Sequence, residues 1–66
     1  MTVDDVKAGV DRVKEASDDP EVAHGREDYL WRTVLQEISK IDKGICGALA
    51  YEALKTQDID FPRWRA

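Results

Sequence analysis

The stretch Asp19-Pro20-Glu21-Val22-Ala23-His24-Gly25-Arg26-Glu27-Asp28-Tyr29-Leu30-Trp31-Arg32-Thr33-Val34-Leu35-Gln36-Glu37-Ile38-Ser39-Lys40 decides the fold. Pro20 suits the first position of a helix, where its missing N–H would have no partner in any case, and Asp19 before it is a good capping residue. Leu30, Trp31, Val34, Leu35, Ile38 and Ile41 then recur on one helical face. Gly25 costs a helix interior roughly 1 kcal/mol against Ala, yet it permits continuation. One long helix from about Pro20 to Lys40 is expected, with its broad apolar face at the centre of the core.

The chain on either side reads as two shorter helices. Thr2 followed by Asp4 and Asp5 provides a cap and acids for the first turn of a helix over residues 2–16. Val3, Val6, Val10 and Val13 recur along it at spacings of three, four and three, a stripe that asks for a packing partner. That stripe either completes the monomer core or forms a seam with a second molecule, and Gly9 beside it permits close approach of another helix. Ser17-Asp18-Asp19 closes this first segment. Beyond Lys40, Asp42-Lys43-Gly44 ends the long helix, with Gly44 expected in the left-handed conformation of a helix C-terminus. A third helix is expected over residues 45–56, its inner face formed by Ile45, Leu49 and Ala53 with Cys46, Ala50 and Leu54. The remaining residues, 57–66, form an extended tail. Ile59, Phe61 and Trp64 are its docking residues, because aromatic side chains bury about 150–250 Å² each. These readings combine into an all-α fold, a single domain over residues 1–66, built as a small three-helix bundle with the extended C-terminal tail packed on the helices.

Composition narrows the function classes. A chain of 66 residues buries only about 60% of the surface its unfolded form exposes, so help from a partner or from self-association is expected. The single Cys46 excludes an internal disulfide, and no Cys/His spacing marks a zinc site. No charged-then-apolar leader opens the chain and no apolar run reaches the roughly 18 residues of a membrane helix; a cytoplasmic protein without membrane contact is expected. The formal net charge is −4. Residues 1–28 hold nine acids against four bases, and residues 29–66 hold five acids against six bases. Such a balance argues against nucleic acid as a partner, since a phosphate-gripping protein shows a basic face. A helix-turn-helix reading of the second and third helices meets the same objection, because the candidate recognition helix presents Tyr51, Glu52 and Lys55 with little positive charge.

Chemistry-bearing motifs are sparse. His24, Glu27 and Asp28 share a helix face at positions i, i+3 and i+4, and a histidine with carboxylates can in principle hold a divalent ion or transfer protons. Three residues on one turn supply too few ligands, so Asp58 or Asp60 would have to swing in from the tail. The alternative is structural, with His24 at the core edge against a carboxylate. Glu37 stands nearly three turns from Glu27 and Glu52 stands alone on its helix, so neither builds the paired-acid arrangement of helical nucleotide hydrolases. Gly44-Ile45-Cys46-Gly47 lacks the spacing and the lysine of a phosphate loop. No catalytic residue and no cofactor is assigned.

The run Asp19-Pro20-Glu21-Val22-Ala23-His24-Gly25-Arg26-Glu27-Asp28-Tyr29-Leu30, with Val34-Leu35-Gln36-Glu37-Ile38 and the ending Ala53-Leu54-Lys55-Thr56-Gln57-Asp58-Ile59-Asp60-Phe61-Pro62-Arg63-Trp64, resembles small helical proteins of actinobacteria and their bacteriophages. Its most specific parts are the Ala-His-x-x-Glu-Asp segment and the Ile-Asp-Phe-Pro-Arg-Trp ending. The resemblance covers most of residues 19–66 and leaves the valine-striped first helix aside. It implies a small accessory protein working in the bacterial cytoplasm, that of the host if phage-encoded, and transfers no catalytic role to any residue. The leading expectation is a non-enzymatic protein-interaction module that binds a host protein or itself. A metal- or small-ligand-binding or hydrolytic site around His24, Glu27 and Asp28 is the alternative, and DNA binding through the second and third helices a lesser one.

Overall fold

The computed structural model describes residues Met1–Pro62. The chain is all-α: α1 spans Val3–Glu15, α2 spans Pro20–Ile41, α3 spans Ile45–Leu54, and a 3-10 turn follows over Lys55–Asp58. Among the described residues there is no strand. The elements divide into two compact units, Met1–Trp31 and Arg32–Pro62, with α2 running through both.

In the first unit, α1 begins with a capping box. Thr2 Oγ1 accepts the Asp5 N–H at 3.2 Å, and the Thr2 N–H donates to Asp5 Oδ2 at 2.8 Å, so two of the orphan donors of a helix start are satisfied reciprocally. The Thr2 backbone N–H is the main cause holding the Asp5 carboxyl below its ordinary value of 3.8. A carboxyl depressed in the folded state stabilises above its ordinary pKa, and that contribution is lost as pH falls through the lower folded value. Acid titration followed by helix content is therefore expected to be shallower below pH 3.8 in Asp5→Asn than in the wild type; superimposable curves would contradict this.

At the other end of α1, the Ala16 N–H donates to the Val13 carbonyl at 3.1 Å instead of reaching back to Arg12. The Arg12 carbonyl is taken up by Arg26 Nη1 from α2 at 2.7 Å, which satisfies one of the last-turn carbonyls with a charged donor. The connection is closed by Asp19 N–H to the Ala16 carbonyl at 2.8 Å. Asp19 is the cap of α2, as its position before Pro20 indicated, since its Oδ1 accepts the Val22 N–H at 3.3 Å.

The face of α1 that packs is not the full valine stripe. Gly9 and Ala16 are buried, Val6 and Val13 are half-buried, and Val3 and Val10 are exposed. The inward positions 6, 9, 13 and 16 themselves keep a helical spacing, and Gly9 sets the approach, for a Cβ there would stand 2.5 Å from Leu30 Cδ1. Val3 and Val10 lie at the rim.

Gly25 proves to be an ordinary helix position. α2 passes through it unbroken, and a Cβ added there would meet nothing within 4 Å. Gly25→Ala is expected to raise stability by about 1 kcal/mol, read as a higher denaturant midpoint at unchanged slope.

Two expectations are corrected. No residue of α2 is fully buried. Leu30, Val34, Leu35 and Ile38 are half-buried, whereas Trp31 and Ile41 are exposed. The only buried apolar side chains among the described residues are Ala16 and Ala50. The physical reason is that the covering helices approach through glycine and alanine, which bring backbones close but screen little of a long helix's apolar face. Second, Gly44 is not left-handed: its φ is −93° and it serves as the N-cap of α3. The turn is made by Asp42, whose Oδ1 accepts the Gly44 N–H at 2.7 Å, a local side-chain turn that removes the need for a positive φ.

Candidate interaction surface

The second unit contains the surface with most to explain. Asp42 turns the chain straight into α3, and the third residue of that helix, Gly47, is buried against the Asp42 backbone carbonyl, which occupies the place a Cβ would need. With Gly47 directed inward, helical geometry directs Ala50 and Leu54 inward too, three and seven residues further on. Ala50 is buried and Leu54 half-buried. The opposite face consists of Ile45, Ala48, Leu49 and Glu52 at the spacing i, i+3, i+4 and i+7. Ile45 is 72% exposed and Leu49 63%.

The expected inner face is corrected in part: Ala50 and Leu54 face inward as expected. Ile45, Leu49, Ala53 and Cys46 all face solvent, because only a residue without a side chain fits under Asp42 and that requirement outweighs the preference for burying Ile and Leu. The signal was present in the composition: within Ile45–Leu54 the only charged residue is Glu52. A helix apolar all round is one that is covered on both sides.

Beyond the exposed face, Lys55 closes α3. Its Nζ lies 2.7 Å from Glu52 Oε2 and 5.3 Å from the centre of the Tyr51 ring. The Glu52 hydrogen bond raises the Lys55 pKa, the opposite of the shift that makes a lysine a nucleophile or a base near neutral pH. Ser39, Tyr51, Leu54, Lys55, Gln57 and Asp58 line an open groove of about 220 Å³. Ser39 Oγ donates to the Gln36 carbonyl at 2.7 Å. These residues can offer surface contacts.

The residues singled out from the sequence fall as follows. His24 Nε2 and Asp28 Oδ1 come within 3.7 Å, both about one-third exposed; this is beyond hydrogen-bond length and is an ion pair only when the imidazole is protonated. Glu27 does not complete a ligand set with them: among the described residues no three His, Cys, Asp or Glu side chains gather to hold a metal ion. In the tail, Ile59 remains 55% exposed and Phe61 49%, short of the burial expected of docking residues, and Trp64 lies outside the described residues. Residues 57 and 58, expected at the start of the extended tail, instead lie in the 3-10 turn, and the Ile59 N–H bonds back to the Thr56 carbonyl at 3.1 Å. Among the described residues no helix is long and apolar enough to cross a membrane. The chain matches no protein-family model, no curated protein and no solved structure.

Proposed function

We propose that this protein is a non-enzymatic protein-interaction module whose outward α3 face is covered by another protein surface in its working state. The observation that carries the reading is the exposure of Ile45 and Leu49 on a helix that is apolar on both faces. A helix of this composition is ordinarily enclosed, and α1 and α2 differ from it, with acids in the first turn and bases in the last. Interfaces draw on apolar side chains framed by a polar rim, and Lys43, Glu52 and Lys55 supply such a rim here. The resemblance of most of residues 19–66 to small proteins of actinobacteria and their phages supports a setting in the bacterial cell, as an accessory protein acting on what it binds.

The test is chemical cross-linking in an actinobacterial lysate, with tagged wild-type protein beside Leu49→Asp. One defined cross-linked species, formed with a host protein or with the protein itself, is expected for the wild type and is expected to be absent from the variant. Identical diffuse recovery from both would remove the reading.

A further inference from the structure

We infer that the partner seated on the outward face of α3 is a second copy of this chain, packed antiparallel about Ala48; the inference rests on the interaction-module reading and names its partner. It starts from what the fold lacks. Chains of this size have small cores, and many supplement them with disulfides, a structural metal, idealised helix packing or association. Cys46 is the single cysteine, so no intrachain disulfide forms. Among the described residues no metal-holding group is assembled and no buried apolar side chain is larger than alanine. Association is a route open to this chain, and a second copy is a surface present wherever the chain is made.

The face fits its own copy. Ile45, Ala48, Leu49 and Glu52 form a row in which Ala48, the smallest side chain, stands near the middle. Two such rows running in opposite directions meet at Ala48, where the helices come close, and set Ile45 and Leu49 of each chain beside the Leu49 and Ile45 end of the other. The ends are charged with opposite sign. Lys43 stands just before Gly44, the N-cap of α3, and Glu52 lies in its last turn. α3 carries no acid in its first turn, and an antiparallel copy brings one there, since its Glu52 comes within reach of Lys43, while the symmetry repeats the pair at the opposite end. A parallel arrangement would set Lys43 against Lys43 and Glu52 against Glu52, which is repulsive. Glu52 is also held by Lys55 within its own chain, so the intermolecular pair adds to a local one.

Sedimentation equilibrium across a dilution series tests the inference with full-length protein. The wild type is expected to sediment at twice the 7.5 kDa chain mass and to dissociate on dilution. Lys43→Glu and Glu52→Lys, each alone, are expected to weaken the dimer about tenfold, because each turns two attractive pairs into two repulsive ones. Mixed in equal amounts, the two variants are expected to recover affinity to within about twofold of the wild type, since each heterodimer then holds two opposite-charge pairs. That recovery does not depend on whether a core variant such as Leu49→Asp still folds. A wild type that stays at the monomer mass throughout overturns the inference, as does a dimer whose charge-swapped variants regain nothing on mixing. If the monomer still cross-links one host protein through the α3 face, the second-copy inference fails while the interaction-module reading stands; if nothing cross-links, both fail.

Discussion

Gly47→Ala is expected to cost at least about 3 kcal/mol, the upper end of overpacking effects, and to leave a large share of the protein unfolded at room temperature. The new methyl group would be placed on the Asp42 backbone carbonyl. That atom has no rotamer to move through, so relief requires the turn between α2 and α3 to open. Opening it disturbs the Asp42 Oδ1 to Gly44 N–H bond of 2.7 Å and withdraws Ala50 from its buried place. Gly47 has a negative φ, so its requirement is for space and not for a left-handed backbone. The check is a denaturant titration followed by circular dichroism, with Gly25→Ala beside it. Both substitutions add the same methyl group to a helix, and they are expected to move stability in opposite directions. A Gly47→Ala protein as stable as the wild type would show that the α2–α3 turn is not the fixed point described above.

The second large effect is expected at Gly9. Gly9→Leu should lose roughly 2–3 kcal/mol, because a branched side chain cannot share the space held by Leu30. Gly9→Ala should be close to neutral, for its Cβ meets the tip of Leu30, 2.5 Å from Cδ1. That tip can rotate aside, and the helix-propensity gain of about 1 kcal/mol offsets the crowding. The contrast with Gly47 follows from what is struck, a flexible methyl in one case and a backbone carbonyl in the other. Adding Leu30→Ala to Gly9→Leu is expected to restore part of the loss, with a coupling of about 1 kcal/mol or more between the two positions. Strict additivity of the two single effects would mean that Gly9 and Leu30 do not face each other.

The polar groups do little to decide stability. Lys55 and Glu52 form a short pair, but both are exposed and such pairs contribute little. His24 and Asp28 approach without a hydrogen bond. The arginine that matters more is Arg26, because it bonds a carbonyl that the end of α1 leaves unclaimed. Nothing in the residue spacing pointed to that contact, which depends on the Ala16 N–H turning to Val13.

Local chemistry settled the helices. The Thr2–Asp5 capping box, Asp19 with Pro20, and the apolar period from Leu30 to Ile38 mark starts and extents through interactions only a few residues apart, and α1, α2 and α3 lie within about two residues of where those signals put them. Whether a glycine serves conformation or space is a different kind of question. Gly25, Gly44 and Gly47 look alike in the chain, yet one faces open space, one caps a helix in an extended conformation and one lies under a carbonyl. The direction in which α3 faces was likewise a tertiary decision. Apart from Glu52 the helix is apolar all round, so its own periodicity favours no side strongly, and the fit of Gly47 beneath Asp42 turned Ala50 inward and Ile45 and Leu49 out.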